Sequence, residues 1–247
     1  LSAWQTGKVT DMGDMFLQSF DFNGDVSGWQ TTAVTNMRQM FRSASKFNGD
    51  LSKWQTSAVT NMGYMFLAAQ AFNRDLSKWQ TAAVTNMEGM FYTCLAFNGD
   101  LSAWQTGKVT SMESMFVGAR KFNNDLSSWT TNNVINLRDM FRGARAFNGD
   151  ISKWLTSKVT NMYRTFETAN EFNRDLNWDT SSVTTMQEMF SGASVFNRDL
   201  SAWQTAKVTT MKQMFKSASN FNGDVSTFQT DEVIDLSGMF QDASAFN

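Results

Sequence analysis

The chain has 247 residues, a formal net charge of −2, no proline, no histidine and one cysteine. A near-neutral balance gives no bulk attraction to nucleic acid or an anionic membrane, and apolar runs of only a few residues exclude a membrane-spanning helix. The lone cysteine excludes a disulfide framework, and the missing histidine closes Ser-His and Cys-His nucleophilic catalysis.

A 25-residue period organises the sequence, with repeats beginning at Leu1, Val26, Leu51, Leu76, Leu101, Leu126, Ile151, Leu176, Leu200 and Val225. One residue is deleted around Asn177, and the last repeat is incomplete. Numbered by place, the unit reads L-S-x-W-Q-T-x-x-V-T-N-M-x-x-M-F-x-x-A-x-x-F-N-G-D. So short a period makes residues 1–247 a single domain of stacked units.

Along the repeat, L-S-x-W and T-x-x-V-T are β-branched or aromatic and too brief for a helix, which predicts one or two short strands per coil. Stacked in register they form a parallel sheet with neighbours about 4.8 Å apart, so ten coils span about 50 Å. Places 12, 15, 16 and 19, such as Met37, Met40, Phe41 and Ala44, have the spacing of a helix face. Place 11, just before that run, is Asp11, Asn36, Asn61, Asn86, Ser111, Asn136, Asn161, Thr185, Thr210 or Asp235, all N-cap residues. Glu88, Glu113 and Glu188 follow within the first turn, Glu188 at capping-box spacing from Thr185. A short helix is therefore predicted from place 12 to about place 20, and Phe-Asn-x-Asp then closes the repeat as a turn. The fold class expected is an α/β repeat solenoid, with short parallel strands and one short helix per coil.

Val at place 9 and Phe at places 16 and 22 recur in all ten repeats, and Trp at place 4 in nine. The two Phe ladders hold twenty of the 22 Phe, and places 12 and 15 hold all 17 Met. Such periodic residues are expected in the core, as is Cys94, which replaces a small residue at place 19.

The string V-T-N-M-x-x-M-F-x-x-A-x-x-F-N-x-D-L-S-x-W, as in Val34 to Trp54 and Val59 to Trp79, resembles the BspA-like leucine-rich-repeat surface proteins of bacteria, mycoplasmas and some microbial eukaryotes. The resemblance covers all ten repeats. It implies a right-handed leucine-rich-repeat-type solenoid displayed outside the cell and linked with adhesion, with no catalytic residues to carry over. Place 5, usually acidic in that family, is mostly Gln here, and place 6, often Val, is always Thr.

The sharpest polar signal is a ladder of Asn and Asp at places 23 and 25: Asn23 and Asp25, Asn48 and Asp50, Asn73 and Asp75, Asn98 and Asp100, continuing along the chain. Stacked carboxylates about 5 Å apart repel by roughly 0.8 kcal/mol per neighbour in water, so something must offset them. One reading is a spine of side-chain hydrogen bonds to turn backbone, Ser at place 2 or Thr at place 6. The alternative is calcium held by N-x-D-x-S, as in Asn23, Asp25 and Ser27. No cofactor and no resident metal are otherwise expected, and no enzyme. An exposed Trp ladder would suit sugar rings, and a flat array of Thr at place 10 an ice-binding face; burial of Trp and ordinary strand Thr are the simpler readings.

Individuality resides at places 13, 14, 17, 18, 20 and 21, expected to face outward. Arg138, Arg142 and Arg145, with Arg120 and Lys121 one coil earlier, make the densest basic patch, suited to an acidic protein or a sulfated or uronic polysaccharide; Arg38, Arg42 and Lys46 form a second. With the nine ladder Asp set aside, fourteen acids face 21 bases. The function expected is a non-enzymatic interaction module for protein or polysaccharide partners, extracellular by family resemblance, without nucleic acid or membrane insertion. The alternative is a building block of a larger assembly. Leu1 is no initiator methionine and no signal peptide is evident, so a fragment of a longer chain is expected. Neither end carries a polar cap, and the expectation is that further sequence or a head-to-tail copy covers them.

Overall fold

Each repeat winds through a succession of β-turns, in which an amide donates to the carbonyl three residues back. In the second coil these bonds run from Trp29 to Val26 (3.1 Å), Val34 to Thr31 (3.0 Å), Met40 to Met37 (3.2 Å), Arg42 to Gln39 (3.0 Å), Ala44 to Phe41 (3.0 Å) and Phe47 to Ala44 (3.0 Å). The computed structural model describes all 247 residues, and consecutive repeats lie side by side as parallel coils. Amides at places 12, 14, 16 and 18 donate to the next coil, as Met37 to Asn61 (2.9 Å), Gln39 to Gly63 (2.9 Å), Phe41 to Met65 (2.9 Å) and Ser43 to Leu67 (2.6 Å). Isolated parallel bridges join place 11 of neighbouring coils, from Asp11 and Asn36 through to Thr210 and Asp235, except between Asn86 and Ser111.

No helix forms, and no strand extends beyond a single bridging residue, which overturns the expected α/β solenoid of strands plus one helix per coil, and with it the leucine-rich-repeat-type fold. The reason lies at places 14 and 18. In every coil both have positive φ: fifteen non-glycine residues, such as Gln39 (+57°), Ser43 (+61°) and Asp139 (+55°), and five glycines. A helix needs φ near −63°, whereas an i to i+3 turn with positive φ at its third residue is type II. Consecutive type II turns at places 12–15 and 16–19 send side chains 12, 15, 16 and 19 inward, the same spacing a helix would bury. Amides that would bond within a helix bond to the next coil instead.

The predicted capping chemistry survives with a different object. The place-11 oxygen accepts the amide two residues on, as Asn36 Oδ1 from Arg38 (3.1 Å), Asn86 Oδ1 from Glu88 (2.9 Å) and Thr185 Oγ1 from Gln187 (3.4 Å), so it caps a turn. Glu188 makes no capping box; its backbone is left-handed, at φ +56°, and its carboxylate meets Arg164.

The core is the set of ladders. Val, Met, Phe and Ala of places 9, 12, 15, 16, 19 and 22 are buried from the second to the ninth coil, Cys94 among them. Phe rings stack within a coil (Phe41 on Phe47, 3.9 Å) and between coils (Phe41 on Phe66, 5.7 Å), within the range where offset aromatic pairs attract. Trp rings stack at 6.3 Å, as Trp79 on Trp104, and each indole Nε1 reaches back to the previous coil's place-1 carbonyl, 3.0 Å from Trp104 to Leu76. Thr at place 6 is buried and acts as a substitute for backbone. Thr81 Oγ1 donates to the Gln105 carbonyl (3.0 Å) and accepts the Gln105 amide (2.8 Å).

Candidate functional site

Because the interior is filled by repeating side chains, the surfaces that differ between coils are the ones with individual chemistry. The Asn and Asp ladder is not one of them. Asn23 Oδ1 accepts the Asn48 amide (2.9 Å), Asn48 Oδ1 that of Asn73 (3.1 Å), and Asn73 Oδ1 that of Asn98 (2.9 Å), a relay that continues to Asn247. Each Asp turns on itself. Asp25, Asp50, Asp75 and Asp100 accept the amides of Ser27 (2.9 Å), Ser52 (2.9 Å), Ser77 (2.8 Å) and Ser102 (2.8 Å) through Oδ1. That backbone hydrogen bond, with a second from the Ser hydroxyl, holds the carboxyls of Asp25, Asp50 and Asp75 below the usual carboxylate range. No group of three or more Asp, Glu or Cys side chains is placed to hold a metal ion.

The Trp ladder lies inside: from Trp29 to Trp203 the side chains are at most 3% exposed, leaving Trp4 alone open, at 53% on the first coil. Thr at place 10 lies outside, and its hydroxyl is engaged, Thr35 Oγ1 donating to the Thr10 carbonyl (3.2 Å). Burial pushes the Cys94 thiol far up, so it is no nucleophile.

The five cations of the basic patch separate into two groups. Arg138 Nε meets Asp139 (3.2 Å) and Glu113 (3.6 Å), and Arg142 Nε lies 2.7 Å from Glu167 Oε2. That Glu167 oxygen lies off the N–H direction and accepts no hydrogen bond, so the two charges touch without a directed bond. Arg120, Lys121 and Arg145 are exposed, and none makes an ion pair. Their backbones adjoin, the Ala146 amide donating to the Arg120 carbonyl (3.3 Å) and the Glu171 amide to that of Arg145 (3.1 Å). In the second patch, Lys46 pairs with Asp21 (2.7 Å), Arg42 bonds Gln39, and Arg38 makes no ion pair.

Spacing along a single repeat holds only part of the acid and base network across places 13, 14 and 17, namely Arg138 beside Asp139 and the i,i+3 pairs Asp139 with Arg142 and Arg164 with Glu167. From the fifth to the eighth coil it runs through Glu113, Arg138, Asp139, Arg142, Glu167, Arg164 and Glu188, Arg164 Nε reaching Glu188 at 2.8 Å. Arg138 and Arg164 both lie over the ring of Tyr163, at 5.0 and 4.6 Å from its centroid. Asp139 is buried, and its Oδ1 has no hydrogen-bond partner. The signal was available by reading one place across coils, where Asp139, Arg164 and Glu188 alternate in sign at the repeat spacing.

A family model described as "Mycoplasma protein of unknown function, DUF285" matches residues 1–101, 74–177 and 176–247, so it spans the chain in successive overlapping copies. No curated protein matches the sequence.

Proposed function

We infer the function of this chain from two premises: it belongs to the DUF285 family, and its individuality is confined to the outer places of its coils. It acts as a non-enzymatic interaction module that offers a long, rigid side surface to a protein or polysaccharide outside the cell. The observation that carries this reading is the division between buried ladders, which repeat, and outer residues such as Arg120, Arg145 and Tyr163, which do not. The resemblance to BspA-like surface proteins supports display and adhesion. Binding of the purified chain to immobilised matrix proteins and to a glycan array tests it; a chain that binds no better than its heat-denatured form overturns it.

A further inference from the structure

We propose that the outer turns of the fifth and sixth coils form a binding site for a linear anionic polysaccharide, its sulfates or carboxylates met by Arg120, Lys121 and Arg145. This rests on reading the chain as an interaction module. Three observations carry it. The first is that these cations are unpaired beside a network in which the neighbouring cations are compensated. Arg138, Arg142 and Arg164 spend their charge on Glu113, Asp139, Glu167 and Glu188, whereas Arg120, Lys121 and Arg145 have no acid partner, and Glu171 on the next coil is the one acid beside them at these places. Adjacent coils stand about 4.8 Å apart, so the three charges add to one local potential despite the net charge of −2.

The second observation is the absence of side chains beside them. Two residues before Arg120 and Arg145, within about 7 Å by backbone reach, stand Gly118 and Gly143, both left-handed, at φ +63° and +68°. A Cβ on Gly143 would meet nothing nearer than Gly118 backbone at 3.6 Å, whereas one on Gly118 would meet Thr93 Cγ2 at 3.2 Å. Thr93 and Thr168 occupy the same place in the flanking coils. Two adjacent coils without a side chain at this place leave main chain open to a broad ring, and the flanking Thr residues suit a hydroxyl-rich polymer.

The third is direction. The cations follow the stacking axis from coil to coil, so a linear polymer lying along that axis meets them in succession. Guanidinium pairs bidentately with sulfate or carboxylate, and Lys121 adds a point charge.

The test is retention on immobilised heparin, polygalacturonate, neutral dextran and poly-glutamate, for the intact chain, the triple variant Arg120→Ala, Lys121→Ala, Arg145→Ala, and a control removing three remote unpaired cations, Lys8→Ala, Lys207→Ala, Lys216→Ala. The expected result is salt-dependent binding to heparin or polygalacturonate, or both, with none to dextran. The triple variant should weaken it at least tenfold and the control less than about threefold. Equal loss in both variants overturns the site in favour of diffuse charge. Binding to poly-glutamate alone overturns the glycan in favour of an acidic protein. A chain that binds none of these but captures a matrix protein in the screen above overturns this assignment and leaves the module reading standing; binding nothing in either overturns both.

Discussion

Exchanging alanine and glycine at place 18 distinguishes the turn ribbon from a helix by the sign of the effect. Ala68 has φ +57°, and its side chain is a single methyl, so Ala68→Gly alters little besides backbone preference. A left-handed non-glycine residue costs roughly 1–2 kcal/mol, and glycine returns about 0.5–1 kcal/mol of that as extra chain entropy, so the substitution should leave stability unchanged or raise it by up to ~1.5 kcal/mol. In a helix the same change would cost about 1 kcal/mol. Gly143→Ala is the mirror experiment. Its new methyl meets only ordinary contacts, at 3.6 and 3.8 Å, so the left-handed cost at φ +68°, less the chain entropy that alanine removes, should leave stability unchanged or lower it by up to ~1.5 kcal/mol, whereas a helix would gain by the change. Urea unfolding followed by tryptophan fluorescence, with equal slopes required of each variant, measures both. Loss of stability in Ala68→Gly together with a gain in Gly143→Ala would refute the left-handed assignment.

Three further outcomes follow from the same structure. Thr81→Val removes two hydrogen bonds to the Gln105 backbone and leaves its amide without that acceptor, which should cost about 2–4 kcal/mol in urea unfolding, while Thr81→Ser should cost about 1 kcal/mol; equal effects would show the ladder hydroxyl to be idle. Because backbone and side-chain hydrogen bonds from Ser lower the folded carboxyls of Asp25, Asp50, Asp75, Asp150 and Asp224, their contribution is present above the unfolded value near 4 and is lost as pH falls through the lower folded values. Melting temperature should therefore be level from pH 7 to 5 and fall below pH 4, and replacing these residues with Asn should flatten that fall; a rise on acidification would mean that stacked-charge repulsion outweighs the hydrogen bonds. At the junction of the fourth and fifth coils, Met87 and Thr110 lack the intercoil amide bonds that their counterparts make in every other junction, so hydrogen exchange there should run at least tenfold faster than at Met62 and Thr85, and uniform protection would contradict it.

Much of the core could be read from the sequence, because burial in a stacked repeat must recur at the period, and Phe41, Met40 and Trp54 declare themselves by recurrence. The local backbone could not be read from spacing, since type II turns and a helix bury the same places. One signal did bear on it. Five of the 15 glycines stand at places 14 and 18, namely Gly89, Gly118, Gly143, Gly192 and Gly238, which a helix disfavours and a left-handed turn favours. At the candidate site, sequence proximity grouped Arg138 and Arg142 with Arg145, although Asp139 beside Arg138, and Glu113 and Glu167 from neighbouring coils, neutralise the first two. Glu113 and Glu167 lie a whole repeat away from the cations they meet, so no short window along the chain contains those pairs.

The sequence by itself determined the period, the residues that fill the interior and the places left free to vary, because each is a matter of recurrence. Only the tertiary structure decided that amides bond between coils instead of along a helix. That choice depends on the neighbouring coil as an acceptor, and the same stacking of coils decides which outer charges meet and which, like Arg120, Lys121 and Arg145, stay unpaired.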